Sequence, residues 1–146
     1  MIRPDAFAPR VLEIEPRIDQ IGVALAWLRA FAAEARWHER AAFGLILSVD
    51  EALTNIVTHA FGDSEGGRET LIRLACFDGP QGIALRIEDT GPAFDPTLAV
   101  PGPQAESVET AEMGGHGLRL MRHYLKSVHY TREGGRNVLT LVAGEP

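Results

Sequence analysis

Residues 48–61 read SVDEALTNIVTHAF and carry three polar side chains at intervals of four residues: Glu51, Asn55 and His59. In a helix this spacing puts all three on one face, with about 40° of drift per step. Mg²⁺ takes oxygen ligands and keeps several waters, so the Asn55 amide oxygen and substrate phosphates would form a sensible binding set. Glu51 would then serve as a base. For the triplet alone, a solvated helix face is the simpler interpretation.

A second segment, residues 83–96, reads IALRIEDTGPAFDP. Counting by two along a strand puts Ile83, Leu85, Ile87 and Asp89 on the same face, so the acid continues an apolar row. A carboxylate facing a core needs a hydrogen-bond donor, and as a pure acceptor it suits an amino group such as that of adenine. Gly91 would let a flat ligand approach the backbone. The alternative is that Asp89 ends the strand and caps the following turn.

The third segment, GGHGLRLM at residues 114–121, places Gly114, Gly115 and Gly117 directly before an amphipathic helix. Glycine amides and a helix N-terminus together make a natural seat for phosphate. Neither common phosphate-loop fingerprint fits, because no GKS or GKT follows and the GxGxxG spacing is absent. A flexible hinge is the alternative. His116, between these glycines, suits either a phosphate contact or an exposed position.

Residues 96–113 separate the second and third segments and show no clean hydrophobic period. Such a connection is longer than most within a compact domain and is typical of a lid or a disordered loop.

The rest of the chain predicts an α+β two-layer sandwich, with a mixed, mainly antiparallel sheet covered on one face by helices. Strand-like and helical patterns alternate along the sequence, and Gly134 and Gly135 suit a tight hairpin turn. The predicted strands are residues 11–15, 70–77, 83–89, 127–132 and 136–142, and the predicted helices are residues 18–35, 39–61 and 116–126.

Composition favours one soluble domain of 146 residues, with residues 1–10 as an N-terminal extension and 11–146 as the domain. A formal charge of −6 and the lack of a basic patch argue against nucleic acid as a direct partner. No signal peptide or membrane span is readable, so we expect a cytoplasmic protein without a membrane partner. Cys76, the single cysteine, is interpreted as a small buried hydrophobe.

The order of these segments resembles the GHKL superfamily, which shares the Bergerat ATP-binding fold, from about residue 11 to 142. The resemblance implies ATP and Mg²⁺ as cofactors, with Asn55 on the metal and Glu51 serving the attacking hydroxyl or water. It further implies that Asp89 and Gly91 form the adenine-binding G1 box. Gly114, Gly115 and Gly117 would form the phosphate-binding G2 box, and about residues 96–113 would form an ATP lid. The implied nucleotide-binding residues are Asn55, His59, Asp89, Gly91, Ala93, Phe94, Gly114, Gly115, His116, Gly117 and Leu118.

Within that superfamily the chain is most similar to bacterial anti-sigma factor kinases. The motifs NxxxHA, FDP and GGxGLxLM stand here at residues 55–60, 94–96 and 114–121. This resemblance implies a serine/threonine protein kinase that phosphorylates an anti-sigma factor antagonist and also binds a sigma factor. One departure is Ala93, which occupies the second glycine position of the usual DxGxG and adds a methyl where backbone approach matters.

Two other functions fit the same motifs. A nucleotide-gated module could sequester a regulator without transferring phosphate, although Glu51 and Asn55 favour catalysis. The other is a histidine-kinase-type ATPase domain. That architecture normally needs a separate dimerisation helix that carries the phosphorylated histidine, and the roughly ten residues before the first predicted strand are too few to form one. The partner, the signal and the oligomeric state stay open, with a homodimer among the options.

Overall fold

Five strands form one sheet in the computed structural model, which describes residues 9–60, 71–79, 82–96 and 116–144. The strand order is β1-β2-β3-β5-β4, and every described pairing is antiparallel. The strands are β1 (Arg10–Ile14), β2 (Ile72–Gly79), β3 (Gly82–Asp89), β4 (Ser127–Glu133) and β5 (Arg136–Val142).

Three helices accompany the sheet in the described part of the chain: α1 (Ile18–Ala35), α2 (Glu39–Asn55) and α3 (His116–Tyr124). The helix predicted at residues 39–61 changes geometry inside that range, because α2 continues as a π-helix, Ile56–Ala60. The His38 ring accepts a hydrogen bond from the Arg40 amide and caps the start of α2.

One face of the sheet packs against the helices. Burial alternates strictly along β3, where Ile83, Leu85 and Ile87 are at most 1% exposed. The register sets Leu85 beside Leu141 and Ile87 beside Leu139, so the apolar rows of β3 and β5 are continuous. Burying each such side chain contributes roughly 1.5–3 kcal/mol. The predicted two-layer α+β sandwich is confirmed.

The other face of the sheet carries charges at its centre. The Glu88 side chain, 11% exposed, lies within 3.5 Å of Arg73 and 3.1 Å of both Arg86 and Arg136. These three arginines come from β2, β3 and β5 and are themselves partly exposed. Their long side chains shield the small residues beneath, and Ala75 in β2 is only 1% exposed.

The β4–β5 hairpin turns at Gly134 and Gly135, whose φ angles are 55° and 79°. Both values lie in the left-handed region that glycine adopts without strain, so the predicted turn is confirmed. The turn fixes the register of β5 on β4, and β5 in turn pairs Asn137 with Asp89 at the end of β3. The hairpin therefore delivers a second polar residue to that end of the sheet.

Residues Glu39–Thr58 form a helical stretch with the length and hydropathy of a membrane span. Core helices of soluble proteins pass the same test, so this is weak evidence. In this fold α2 packs against both α1 and α3, and its buried residues join the sheet in one core.

Candidate functional site

An open cleft lies where the end of α2 meets the end of β3 and the start of β5. Pockets that take small ligands are mostly apolar with a few polar groups. This cleft has that character and brings together Asn55, Asp89 and Phe94, three of the predicted site residues. Its lining residues are Ala52, Asn55, Ile56, Ile87, Asp89, Phe94, Pro96, Tyr130, Asn137 and Leu139.

Asp89 is the buried carboxylate of the cleft, with 3% of its surface exposed. Its Oδ1 accepts hydrogen bonds from the Gly91 amide at 2.9 Å and from Asn137 Nδ2 at 3.0 Å. The first bond is the turn cap considered from the sequence, and it coexists with the position facing the cleft. Among the described residues, no hydrogen bond reaches Oδ2, which leaves an acceptor for a ligand.

Asn137 is a site residue that the sequence reasoning missed. It is 5% exposed and makes hydrogen bonds through both ends of its amide. Nδ2 donates to Asp89 and, at 2.9 Å, to the Pro92 carbonyl. Oδ1 accepts from the Phe94 amide at 3.2 Å and from the Tyr130 hydroxyl at 2.5 Å. One side chain therefore ties the end of β3, the following turn and β4 together.

The turn after β3 is held from β4 as well. Arg132 donates a hydrogen bond of 2.8 Å to the carbonyl of Gly91, which is buried. Ala93, which stands where a glycine is usual in the resembling families, is exposed. Among the described non-glycine residues, Arg36 alone has a positive φ, so the φ of Ala93 is not positive. The turn therefore accepts the alanine methyl without backbone strain.

Glu51 and Asn55 both lie on the last turns of α2 and are half-buried. They keep the four-residue spacing of an α-helix, so they share a face. His59 lies in the π-helix that follows, where hydrogen bonds run from i to i+5. The four-residue period that relates Glu51 to Asn55 therefore does not carry on to His59. π-helical turns occur frequently at functional sites.

The remaining predicted nucleotide-binding residues belong to the predicted lid and to the segment that leads into α3. Gly114 and Gly115, with residues 97–113 of the predicted lid, lie outside the described residues. His116, Gly117 and Leu118 form the first turn of α3. Pro96, where the predicted lid begins, lines the cleft.

Comparison with known proteins identifies the family of the chain. The model of the histidine kinase-like ATPase domain family matches residues 14–143. The serine/threonine-protein kinase BtrW of Bordetella bronchiseptica is 45% identical over 120 residues, covering 82% of each chain. The serine-protein kinase RsbW of Listeria monocytogenes is 29% identical over 139 residues, covering 92% of this chain and 87% of the relative.

Two solved structures share the fold. The RsbU and RsbW domains of Rv1364c from Mycobacterium tuberculosis align with a TM-score of 0.60 at 15% identity. The alignment covers 94% of this chain and 33% of that one. The histidine kinase domain of the blue-light activated histidine kinase EL346 from Erythrobacter litoralis aligns with a TM-score of 0.52 at 16% identity. This alignment covers 86% of this chain and 59% of that one. At such identities these likenesses show the fold alone. With the family match and the BtrW similarity, they lead to one conclusion: the chain belongs to the histidine kinase-like ATPase domain family, beside the serine/threonine-protein kinases BtrW and RsbW.

Proposed function

We propose that this protein is an ATP-dependent serine/threonine protein kinase of the cytoplasm that acts as an anti-sigma factor or a similar partner-switching regulator. Its substrate is an antagonist protein, and a sigma factor is its second partner. The observation that carries the proposal is the cleft that joins Asp89 on β3 to Asn55 on α2. The 45% identity to a serine/threonine-protein kinase supports the same reaction.

The inner part of the cleft has the side-chain chemistry of an adenine site. Ile56, Ile87 and Leu139 supply flat apolar walls, and Asp89 supplies a buried acceptor held in place by Asn137. An adenine amino group would donate to Asp89, and the ring would lie between the walls. Since Asp89 is already oriented by two hydrogen bonds, little order has to be gained on binding.

The outer part of the proposed site holds the phosphates. Asn55, on the cleft wall, offers a neutral amide oxygen of the kind that Mg²⁺ accepts beside phosphate oxygens. Gly114, Gly115 and Gly117 would present backbone amides to the phosphates at the N-terminus of α3, whose dipole favours negative charge. We assign His59, Gly91, Ala93, Phe94, His116 and Leu118 to the surrounding nucleotide-binding wall, and residues 96–113 to a lid.

Glu51 is the proposed catalytic residue. ATP would supply the phosphoryl group, and Mg²⁺ held by Asn55 would neutralise charge on the phosphate oxygens. Glu51 accepts the proton of a serine or threonine hydroxyl as that oxygen bonds to the γ-phosphorus and the bond to ADP breaks. Its position one turn before Asn55 puts base and metal ligand on the same helix face. Positioning and electrostatic stabilisation carry most of the rate in such reactions.

The test is transfer of label from γ-³²P-ATP with Mg²⁺ to a protein in cellular extract, followed by identification of the labelled protein and residue. Glu51→Gln should lower the labelling rate by about 10²–10⁴-fold while ATP binding stays intact, because only the base is removed. Asn55→Ala should weaken magnesium-dependent ATP binding as well. Asp50→Asn, the same change one residue away on α2, is the matched control and should retain activity.

Two outcomes would contradict the kinase. Either no protein is labelled by the wild type, or Glu51→Gln labels it as fast as Asp50→Asn. In both cases a nucleotide-gated binding module that transfers no phosphate would replace the kinase.

A further inference from the structure

An exposed aromatic cluster lies between α2 and α3, near the start of α2. Phe43 is 55% exposed, and its ring meets the edge of Tyr124 with centroids 5.4 Å apart. The Arg40 guanidinium lies 4.9 Å from the Tyr124 centroid, and the His123 ring packs on the same tyrosine at 4.8 Å. Leu120 of α3 is a further exposed apolar side chain, at 38%. We name these five residues the α2–α3 patch.

The α2–α3 patch is preorganised. A Cβ built on Gly44 would lie 2.5 Å from the Tyr124 Cβ, so the absence of a side chain at Gly44 lets α3 approach α2 closely. This approach fixes Tyr124, which in turn holds Phe43, Arg40 and His123 around it. A partner binding such a surface loses little side-chain entropy. Aromatic residues and arginine are also the residues enriched at the centres of protein interfaces.

The patch shares α2 with Glu51 and lies outside the lining of the nucleotide cleft. Phe43, Leu47 and Glu51 follow each other at four-residue intervals on α2, and Leu47 is half-exposed. Eight residues of helix rise about 12 Å, which is well within the width of one protein interface. The cleft lining, by contrast, includes Asn55 but none of the patch residues. A protein bound at Phe43 would therefore reach Glu51 without entering the nucleotide cleft.

Charge indicates the kind of partner. The chain carries a formal net charge of −6, yet α3 has no acidic residue and exposes Arg119 and Arg122 beside His123. Arg40 adds a further cation, and Glu39 is the acidic residue at the same end of α2. Opposite charges across an interface steer association and select partners.

We infer that the α2–α3 patch is the docking surface for the phosphoacceptor protein, which presents an apolar side chain flanked by carboxylates. This inference rests on the proposed kinase function, because it places the acceptor beside Glu51. The apolar side chain packs on Phe43 and Leu120, and the carboxylates pair with Arg40 and the arginines of α3.

The experiment measures phosphotransfer to the purified protein that the extract labelling identifies. Phe43→Ala and Leu120→Ala should each raise KM for that protein about tenfold or more, with kcat and ATP affinity within about twofold of wild type. Tenfold corresponds to about 1.4 kcal/mol of binding energy. Arg40→Glu should also raise KM, and Arg40→Lys should raise it less. Val23→Ala, at a 48% exposed site on α1, is the matched control.

The outcomes separate the two proposals. If the wild type labels no protein, the kinase itself fails. If it labels the acceptor and Phe43→Ala keeps the KM of Val23→Ala, the docking surface alone is overturned. A third result would also overturn it: sedimentation showing that Phe43→Ala dissociates a dimer while KM is unchanged, because the patch would then bind a second copy of the chain.

Discussion

Replacing Asn137 by aspartate should damage both stability and nucleotide binding in a way that depends on pH. The change keeps the size of the side chain but turns the Nδ2 donor into an oxygen. That oxygen would then face Asp89 Oδ1 at 3.0 Å and the Pro92 carbonyl at 2.9 Å. Two stabilising hydrogen bonds become two contacts between acceptors, and one of them joins two carboxylates.

The size of the effect is set by whichever of two responses costs less free energy. Either both carboxylates stay ionised and repel each other, or one of them binds a proton. Two unit charges 3 Å apart repel by about 5–6 kcal/mol at an effective dielectric constant of 20. Keeping one carboxyl protonated at pH 7, against an ordinary aspartate pKa near 3.9, costs about 4 kcal/mol. The pair should therefore hold one proton, and Asn137→Asp should lose about 4 kcal/mol of unfolding free energy at pH 7. At pH 5 the same proton costs only about 1.5 kcal/mol.

Urea unfolding followed by tryptophan fluorescence between pH 5 and 8 measures this difference. Asn137→Ala is the control, because it removes the network without adding a carboxyl, so its loss should change with pH much less steeply than that of Asn137→Asp. ATP titration at pH 7 should show weaker binding to Asn137→Asp than to wild type, since Asp89 then shares its acceptor with a proton. A penalty below about 1 kcal/mol at pH 7, or one that is constant from pH 5 to 8, would refute this account.

Three further outcomes follow from individual side chains. Asp89→Asn should weaken ATP binding by one to two decades in a calorimetric titration, because a hydrogen bond to a charged acceptor is worth about 1.5–3 kcal/mol; equal affinity would remove Asp89 from that role. Burial, and secondarily the charge of Asp78, raises the pKa of the Cys76 thiol to about 12. The pKa of this thiol is higher in the folded than in the unfolded protein, so its contribution to the free energy of unfolding is complete below about pH 9 and is lost between about pH 9 and pH 12. Over that range the wild type should lose stability faster than Cys76→Ala, by up to about 1.4 kcal/mol per pH unit. Gly44→Ala should destabilise by about 1–3 kcal/mol in thermal unfolding, because the overlap with Tyr124 outweighs the gain in helix propensity of about 1 kcal/mol; a stabilised variant would contradict the close approach of α3 to α2.

The elements of the fold were predictable because their signals are local. Hydrophobic period and turn residues identify α1 and the β4–β5 hairpin, and both are confirmed. Boundaries shifted where pairing extends an element beyond its pattern: the second strand, expected at residues 70–77, runs from Ile72 to Gly79 because Gly79 still pairs with Gly82. The π-helix after Asn55 could not be anticipated, since residues 56–60 have no pattern that separates it from an α-helix.

Residues of the candidate site could be predicted only where a polar side chain interrupts the apolar pattern of its own strand or helix. Asp89 was found because it ends an apolar row on β3, and Asn137 begins the matching row of Leu139 and Leu141 on β5. Each residue alone is a polar group at the end of a buried face, which has many explanations. The two residues are 48 apart in sequence, but antiparallel pairing brings the end of β3 and the start of β5 together. Their hydrogen bond then explains why both polar groups stand at the end of a buried face. A buried carboxylate needs a donor, and in this fold the register of β5, which the hairpin turn sets, supplies it. The orientation of the carboxylate that a ligand would meet at Asp89 thus depends on Gly134 and Gly135, because their turn sets the register of β5 and with it the position of Asn137.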